Sequence, residues 1–221
     1  MKNIVIIGGG NQAHYSIDII EKEGKYNIVG IIDSIADIGS IKFGYEILGR
    51  QEEIKDIIQK HDIYGGIITI GDNWTRFSVY SQIIEIYPEF KFVNAIHPSV
   101  IIGNNVVLGV GIVAMAGCIF NPKSSIGDFT FFATGAQVEH DCTICDFASI
   151  SAGSITGGYV KIGKYSAITL GVTVIDRVEI GENSVVGAGS LVIKSIPDNV
   201  LVYGNPTRII RERNKYEKFL K

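Results

Sequence analysis

One short segment places three side chains capable of proton chemistry next to one another: Glu139, His140 and Asp141, within GAQVEHDCTIC. Imidazole, with an ordinary pKa near about 6.5, is the side chain best suited to accept a proton at neutral pH. A neighbouring carboxylate can fix its tautomer and stabilise the imidazolium that forms. The segment therefore predicts a general base with an orienting acid. The alternative is an exposed turn histidine without a chemical role.

A second candidate site follows the first predicted strand, where GGGNQA matches the pattern G-x-G-x-x-A through Gly8, Gly10 and Ala13. Asp33 ends the next predicted strand. In this context the N–H groups at a helix N-terminus cradle a pyrophosphate. About 95 residues are too few for the full sheet and second half-site of a nicotinamide cofactor, whereas a nucleotide sugar needs only one half. The pattern favours a nucleotide sugar, with an NAD-dependent oxidoreductase as an alternative.

Composition and charge describe an ordinary globular protein. The chain has 221 residues, 46% of them apolar and 19% charged, with a net charge of −3. This balance argues against a nucleic-acid partner or an anionic membrane surface. Glycines end the first apolar run, Ile4 to Ile7, and no run reaches the length of a membrane span. Cys118, Cys142 and Cys145 match neither a disulfide framework nor a metal site, so we expect a cytoplasmic protein without a metal.

The elements that position these residues differ between the two parts of the chain. Residues 1–95 alternate short apolar strands with amphipathic helices, which predicts a small Rossmann-like α/β domain with a parallel sheet. The predicted strands are NIVIIG, YNIVGIID, YGGIITIG and KFVNAI, and the predicted helices are NQAHYSIDIIEKEG, QEEIKDIIQKHD and TRFSVYSQIIEIYP.

From Ile96 to Val192 every sixth residue is apolar, with Thr156 as the single exception. The residue four positions after each of these is small or β-branched and uncharged. A six-residue period without insertion predicts a parallel β-helix with three hexads per coil. Residues 18 apart then stack at about 4.8 Å. We expect this all-β domain to span residues 96–203, followed by a C-terminal tail over residues 204–221. The charged end of this tail, RERNKYEKFLK, is predicted to be helical.

This register assigns the side chains of the first segment. Val138 points inward and Cys142 lies on the small inward track, so Cys142 is predicted to be core and not a nucleophile. His140 stands at the outward turn between them. Eighteen residues later comes Gly158, where a ligand can approach the backbone one coil above the histidine. An N–H at this level could stabilise an oxyanion; the alternative is a simple kink of the solenoid.

The hexads IGKYSAITLG and IGENSVVGAGSLV, the closing YGNPTRII and the preceding GGGNQAHYSID together resemble a known family. They are similar to the sialic acid O-acetyltransferase type family of left-handed β-helix acyltransferases. The best understood branch of this family N-acetylates nucleotide-linked 4-amino-4,6-dideoxy sugars. The resemblance implies left-handed coils, a homotrimer and acetyl-CoA as co-substrate.

The resemblance also implies roles for individual residues of the β-helix. His140 is implied as the general base, Asp141 as its orienting carboxylate, and Gly158 as a backbone donor. The main chain of Leu170 and Ala188, one coil apart, is implied to contact coenzyme A. Two positions depart from the family: Ser149, implied to lie at the cofactor, replaces a histidine near the thioester, and Ala133 replaces a substrate-side asparagine.

In the N-terminal domain the resemblance implies a site for the nucleotide. Its residues are the loop Gly8, Gly10, Asn11 and Gln12, the acid Asp33, and the turn Gly71, Asp72 and Asn73. Asn11 and Gln12 replace the usual Gly-His pair, which we expect to change sugar or phosphate contacts. The roles of His14, Trp74 and Glu139 are left open.

The leading hypothesis is transfer of an acetyl group from acetyl-CoA to the C4 amine of a nucleoside diphosphate 4-amino-4,6-dideoxy sugar. The product would serve a surface polysaccharide, such as the O-antigen of lipopolysaccharide, or a glycan. The alternatives are a sugar O-acetyltransferase of the same fold and a non-catalytic trimeric scaffold. The identity of the nucleotide base is left open.

Overall fold

The computed structural model describes residues 1–219, which form two compact units. The first comprises Met1–Gly71 and Thr75–Pro98; the second comprises Asp72–Trp74 and the chain from Ser99 onward. The division therefore falls three residues later than the sequence predicts, and three residues of the first predicted domain belong to the second unit. Across the described residues, every helix is too short or too polar to cross a membrane.

The first unit is built on a five-stranded sheet that contains β1, Lys2–Ile7. Strands β2, Tyr26–Ile32, and β5, Gly65–Ile68, pair with it in parallel, as predicted. Two further strands were missed by the sequence analysis: β3, Ile41–Lys42, and β4, Tyr45–Gly49. β4 pairs with β2 in parallel and with β3 antiparallel, so a hairpin forms one edge of the sheet.

The helices of this region match the predicted ones. They are α1, Asn11–Glu23, α2, Ile54–His61, and α3, Asn73–Ile86, with a 3-10 turn over Gln51–Glu53 before α2. Buried apolar side chains recur along α1 at helical spacing, and Gly24 ends it in the left-handed conformation at φ 64°. Only Ala95–Ile96 of KFVNAI forms a strand.

The second unit is a parallel β-helix with three faces of two-residue strands, each pairing with strands 18 residues away. The first face contains Ile101–Ile102, Ile119–Phe120, Gln137–Val138, Ile155–Thr156, Thr173–Val174 and Leu191–Val192. The second face contains Val107–Leu108, Ser125–Ile126, Thr143–Ile144, Lys161–Ile162 and Glu179–Ile180. The third face contains Val113–Ala114, Phe131–Phe132, Ser149–Ile150, Ala167–Ile168 and Val185–Val186.

The predicted inward track forms the core of this unit. From Ala114 to Val192 every sixth residue is buried, and so are the small residues four positions further on, from Ile112 to Ile196. Only the first coil departs from the pattern, since Ile102 is 44% exposed. Burial of apolar surface along both tracks stabilises the stack by about 25 cal/mol per Å².

The turns explain where glycine is required. The glycines that follow the inward residues are needed for close approach: a Cβ on Gly157 would lie 2.6 Å from the backbone N of Asp176 in the next coil. Left-handed backbone occurs instead two positions later, at six-residue steps that include Asp141 (φ 57°), Tyr159 (φ 57°) and Arg177 (φ 61°).

The segment that follows the last coil is not the helical tail that the sequence predicts. Val200–Gly204 extends the third face in parallel, and Thr207–Glu212 turns back on it as an antiparallel strand. Arg213 is buried, and its Nε donates a hydrogen bond to the carbonyl of Asn183. The tail prediction also covers Leu220 and Lys221, which lie outside the described residues.

Candidate functional site

His140 and Asp141 form a hydrogen-bonded pair at the turn between the first and second faces. Nδ1 of His140 lies 2.9 Å from Oδ2 of Asp141. An ionised carboxylate accepts only, so this contact assigns the proton of neutral His140 to Nδ1 and leaves Nε2 with a lone pair. The histidine side chain is 50% exposed. The pair therefore has the geometry of a general base with an orienting acid.

The backbone of this turn is held from both sides. Asp141 adopts the left-handed conformation, which Asp tolerates better than most residues, and its N–H donates to the carbonyl of Pro122 at 3.1 Å. From inside the coil, the hydroxyl of Thr156 accepts the N–H of Glu139 at 3.1 Å. Within residues 1–219 the side chain of Glu139 accepts a hydrogen bond from Asn121 and forms none with the imidazole. Thr156, the exception to the apolar track, thus fixes the turn that carries the base.

Cys142 is a core residue, as the register predicts. It is buried, and burial raises the pKa of its thiol. Its Sγ accepts the N–H of Val160 and donates to the carbonyl of Gly157. A protonated thiol with these partners is a poor nucleophile, because the thiolate is the reactive form.

Gly158, in the next coil, lies directly against the imidazole of His140. A Cβ built on Gly158 would lie 2.8 Å from both Cε1 and Nε2 of that ring. Glycine is therefore required here for space, since its φ is not in the left-handed region. The N–H of Gly158 donates to Oδ1 of Asp176 at 2.7 Å. An oxyanion at this N–H would have to share it with the carboxylate.

Two residues beside the base were missed by the sequence analysis. The ring of Tyr159 stands nearly perpendicular to the imidazole of His140, with 5.3 Å between centroids. The guanidinium carbon of Arg177 lies 4.4 Å from the centroid of the Tyr159 ring. The 18-residue step was a usable signal, because Asp141, Tyr159 and Arg177 occupy the same corner of successive coils.

The residues expected at coenzyme A fall into two groups. Leu170 and Ala188 are exposed at equivalent turns one coil apart. Within residues 1–219 neither of their N–H groups has a protein acceptor. Ser149 is a correction: it is 2% exposed, and its hydroxyl donates to Oδ1 of Asn73 at 2.5 Å. A side chain enclosed in this way does not present a contact surface to a cofactor.

The turn expected to hold the nucleotide is also corrected in part. Asn73 is fully buried in the second unit, where its amide donates to the carbonyls of Tyr165 and Ser166. Asp72 is buried as well, and its carboxylate accepts the N–H of Phe219. Both side chains hold together parts of the second unit that are distant in sequence. Local sequence could not indicate this role, because the partners are 76 to 147 positions away.

Trp74 also has a structural role in the second unit. Its ring stacks on Tyr165 with 3.9 Å between centroids, and its Nε1 donates to Oδ1 of Asn183 at 2.9 Å. Tyr165 continues a ladder of aromatic rings, formed by Phe129 and Phe147, along the corner between the second and third faces. The tryptophan therefore caps an aromatic stack.

We expect Asn73→Ala to destabilise the protein by about 2–4 kcal/mol, because it removes the amide that donates to the carbonyls of Tyr165 and Ser166. Urea unfolding followed by Trp74 fluorescence measures this, with the exposed Asn104→Ala as the matched control. Unchanged stability together with a raised KM for the sugar substrate would instead assign Asn73 to substrate binding.

The glycine loop of the first unit is shaped by Asp33. Oδ2 of Asp33 accepts the N–H of Gly9 at 2.6 Å, and Oδ1 accepts the N–H groups of Ile35 and Ala36 at 2.8 Å. Burial alone would raise the pKa of Asp33, but these hydrogen bonds outweigh it and hold the pKa below its ordinary value. Gly8 has φ 97°, and the space at Gly10 is open for 4 Å around a built Cβ.

The remaining residues expected at this site surround the loop within the first unit. Asn11 and Gln12 begin α1, with Gly10 as its extended N-cap and no side chain capping the N-terminus. Gly71 is half-buried, and its carbonyl accepts a hydrogen bond from Arg76. The ring of His14 stacks on Phe43 at 5.1 Å, so one face of this histidine is covered. The loop thus presents an open helix N-terminus, which suits a phosphate.

Asp33→Asn tests the carboxylate as the support of the loop. Its folded pKa is depressed, so its contribution to stability is present above the ordinary value of 3.8 and is lost as the pH falls through the folded pKa. We expect the variant to be about 2 kcal/mol less stable at pH 7, with the difference from wild type shrinking below that value. Urea unfolding by circular dichroism across this range measures it, with the exposed Asp37→Asn as control. A constant difference at every pH would contradict the assignment.

The chain matches proteins of known activity in both of its parts. Residues 3–83 match the family model of the PglD N-terminal domain. A histidine-to-asparagine mutant of perosamine N-acetyltransferase from Caulobacter crescentus, solved in complex with CoA and GDP-perosamine, is 31% identical. The match covers 96% of this chain and 98% of that one, with a TM-score of 0.89. GDP-perosamine N-acetyltransferase from Escherichia coli O157:H7 is 26% identical, over 92% of this chain and 94% of that protein.

A third relative matches only part of the chain. Serine acetyltransferase 2 of Arabidopsis thaliana is 32% identical over 52% of this chain, which spans 32% of that protein's length. The two preceding matches run almost from end to end and include both units. The chain therefore belongs to the sialic acid O-acetyltransferase type family of left-handed β-helix acyltransferases, which includes the perosamine N-acetyltransferases it matches.

Proposed function

We propose that this protein is an N-acetyltransferase that moves an acetyl group from acetyl-CoA to the C4 amine of a nucleotide-linked 4-amino-4,6-dideoxy sugar. The observation that carries the proposal is the His140–Asp141 pair, with Nδ1 engaged at 2.9 Å and Nε2 left to take a proton. GDP-perosamine is the first substrate to test, because it is named for two of the relatives. The product would enter a surface polysaccharide or glycan.

The reaction needs one proton to be moved between two atoms. The sugar amine attacks the thioester carbonyl, and Nε2 of His140 accepts the proton that the nitrogen loses as the C–N bond forms. Asp141 stabilises the imidazolium through Nδ1. When the tetrahedral adduct collapses, the C–S bond breaks and the imidazolium returns the proton to the departing sulfur. The products are an amide and free coenzyme A thiol, and His140 is neutral again.

Backbone groups complete the proposed site. The exposed N–H groups of Leu170 and Ala188, one coil apart, suit the amide and carbonyl groups along the pantetheine arm of coenzyme A. The N–H of Gly158 is proposed to share its hydrogen bond between Asp176 and the oxyanion of the adduct. In the first unit, Gly10 at the start of α1 is proposed to face the pyrophosphate, with Gly8, Asn11, Gln12, Asp33 and Gly71 around it.

We further propose a homotrimer in the cytoplasm. Isoleucine side chains remain exposed along the first face and just after its strands, at Ile101, Ile155, Ile175 and Ile193. Apolar side chains exposed along one face suit a subunit interface. Three free cysteines suit a reducing compartment, where acetyl-CoA and nucleotide sugars are also made. Light scattering of the purified protein should give three times the chain mass of 24.0 kDa.

The test of the activity is release of coenzyme A thiol from acetyl-CoA with a panel of acceptors. The panel contains GDP-, UDP- and dTDP-linked 4-amino-4,6-dideoxy sugars and, as matched controls, the same sugars with a hydroxyl at C4. We expect thiol release with an amino sugar and an acetamide mass shift in its product. Release only with the hydroxy sugars, or with sialic acid, would overturn the proposal in favour of O-acetylation.

A further inference from the structure

We propose that Tyr159 is a positioning residue for His140, and that Arg177 holds Tyr159 in the orientation this requires. The inference rests on the proposed function, since it assigns a support to the proposed base. The ring of Tyr159 stands at 87° to the imidazole, with 5.3 Å between centroids. The guanidinium carbon of Arg177 lies 4.4 Å from the centroid of the same tyrosine ring.

The imidazole needs a second support because its surroundings are open. Half of the His140 side chain is exposed, and its one hydrogen bond within residues 1–219, to Asp141, engages only Nδ1. A single hydrogen bond to a neighbouring turn residue leaves the ring able to swing about it. A perpendicular aromatic ring is a favourable contact that opposes this movement. Gly158 in the next coil and Tyr159 beside the ring then confine the direction in which Nε2 points.

The backbone of Tyr159 has a left-handed conformation and is hydrogen-bonded to His140. Tyrosine here adopts φ 57°, a left-handed conformation that is unfavourable for a bulky side chain. Aromatic residues take the same conformation at another corner, where they stack on one another, whereas the other left-handed residues on the corner of Tyr159 are Asn105, Lys123, Asp141 and Arg177. The N–H of Tyr159 donates to the carbonyl of His140 at 3.0 Å. This hydrogen bond ties the backbone of Tyr159 to that of His140 in the neighbouring coil.

Arg177 explains how the ring of an exposed tyrosine can be held in one orientation. Tyr159 is 47% exposed, so its own burial does not hold the ring still. Arg177 stands 18 residues further on, at the next level of the same corner, and its N–H donates to the carbonyl of Gly158. A cation over the face of an aromatic ring is attracted by the ring electrons. The corner therefore carries a continuous row: Arg177, Tyr159, His140 and Asp141.

The test compares Tyr159→Ala, Tyr159→Phe and Arg177→Ala in the full-length protein. We expect Tyr159→Ala to lower kcat by about 10- to 100-fold with little change in either KM, because only the geometry of the base is altered. Tyr159→Phe keeps the ring and should restore kcat to within about threefold of wild type. Arg177→Ala should give a smaller loss than Tyr159→Ala. Asn105→Ala, at a left-handed turn two coils below Asp141, is the control for backbone effects and should retain wild-type kcat.

A second readout does not depend on activity. Proton–nitrogen correlation spectra of the imidazoles, with the His140 signal assigned by its loss in His140→Ala, report the fraction of the Nδ1–H tautomer. We expect that fraction to fall in Tyr159→Ala and to be kept in Tyr159→Phe. An unchanged spectrum with unchanged kcat in Tyr159→Ala would overturn the proposal, as would equal losses of kcat in the Phe and Ala variants. If wild type itself transfers no acetyl group, the proposed function fails, and the spectra still decide whether Tyr159 positions His140.

Discussion

His140→Ala is expected to lower the turnover of amine acetylation by about three orders of magnitude, within the range typical of a lost general base. The histidine is exposed at a turn, and among the described residues its side chain makes one hydrogen bond, to Asp141. Truncation should therefore leave the core of the β-helix intact and the Tm close to that of wild type. Steady-state kinetics with saturating acetyl-CoA measures the effect on kcat.

The control for this variant is His61→Ala, which removes a histidine from the end of α2 in the first unit. It should keep wild-type turnover. Circular dichroism and light scattering must show both variants folded and in the same oligomeric state. Turnover of His140→Ala within tenfold of wild type would remove His140 as the base, and with it the mechanism proposed above. No acyl transfer by wild type on any acceptor would instead favour a scaffold.

Gly158→Ala is expected to lower kcat by about 100-fold, because a single methyl group displaces the base. The three nearest atoms to a Cβ at this position all belong to the His140 ring, two of them at 2.8 Å. The backbone conformation of Gly158 is open to alanine, since its φ is not in the left-handed region. The N–H that donates to Asp176 is also retained. The expected loss of kcat therefore reports displacement of the imidazole. Backbone strain and loss of a hydrogen-bond donor do not contribute to it.

A double-mutant cycle provides the matched control for this prediction. In a His140→Ala background the ring that collides with the new methyl group is absent, so Gly158→Ala should cause no further loss of turnover or of stability. Unfolding in urea for the wild type, both single variants and the double variant measures the stability part. Additive effects of the two substitutions would show that Gly158 acts through something other than the position of His140.

Much of the second unit could be predicted because its contacts repeat. Inward residues meet at six-residue steps, so an apolar residue at each step is a condition that the local sequence must meet in every coil. The same register places Val138 and Cys142 in the core and His140 outside it. The sequence also indicated the glycine loop with Asp33, because a strand, a turn and a helix N-terminus are short-range features.

Other features were decided by contacts that no local pattern specifies. Asn73 lies in a turn that the sequence predicts to bind the nucleotide, but its side chain is hydrogen-bonded to Ser149, Tyr165 and Ser166. Thr207–Glu212 is charged enough for a solvated helix, but pairing with Val200–Gly204 makes it a strand. In both cases a partner distant in sequence satisfies the polar groups, and tertiary hydrogen bonds override local propensity.

The immediate surroundings of the base show the same division. The spacing of the hexads determined that Asp141, Gly158, Tyr159 and Arg177 lie at one corner of successive coils. Only the tertiary structure decided that the ring of Tyr159 turns toward the imidazole and the cation of Arg177 toward that ring. A period determines the position of a backbone, whereas the direction of an exposed side chain depends on the neighbours it meets after the coils have stacked.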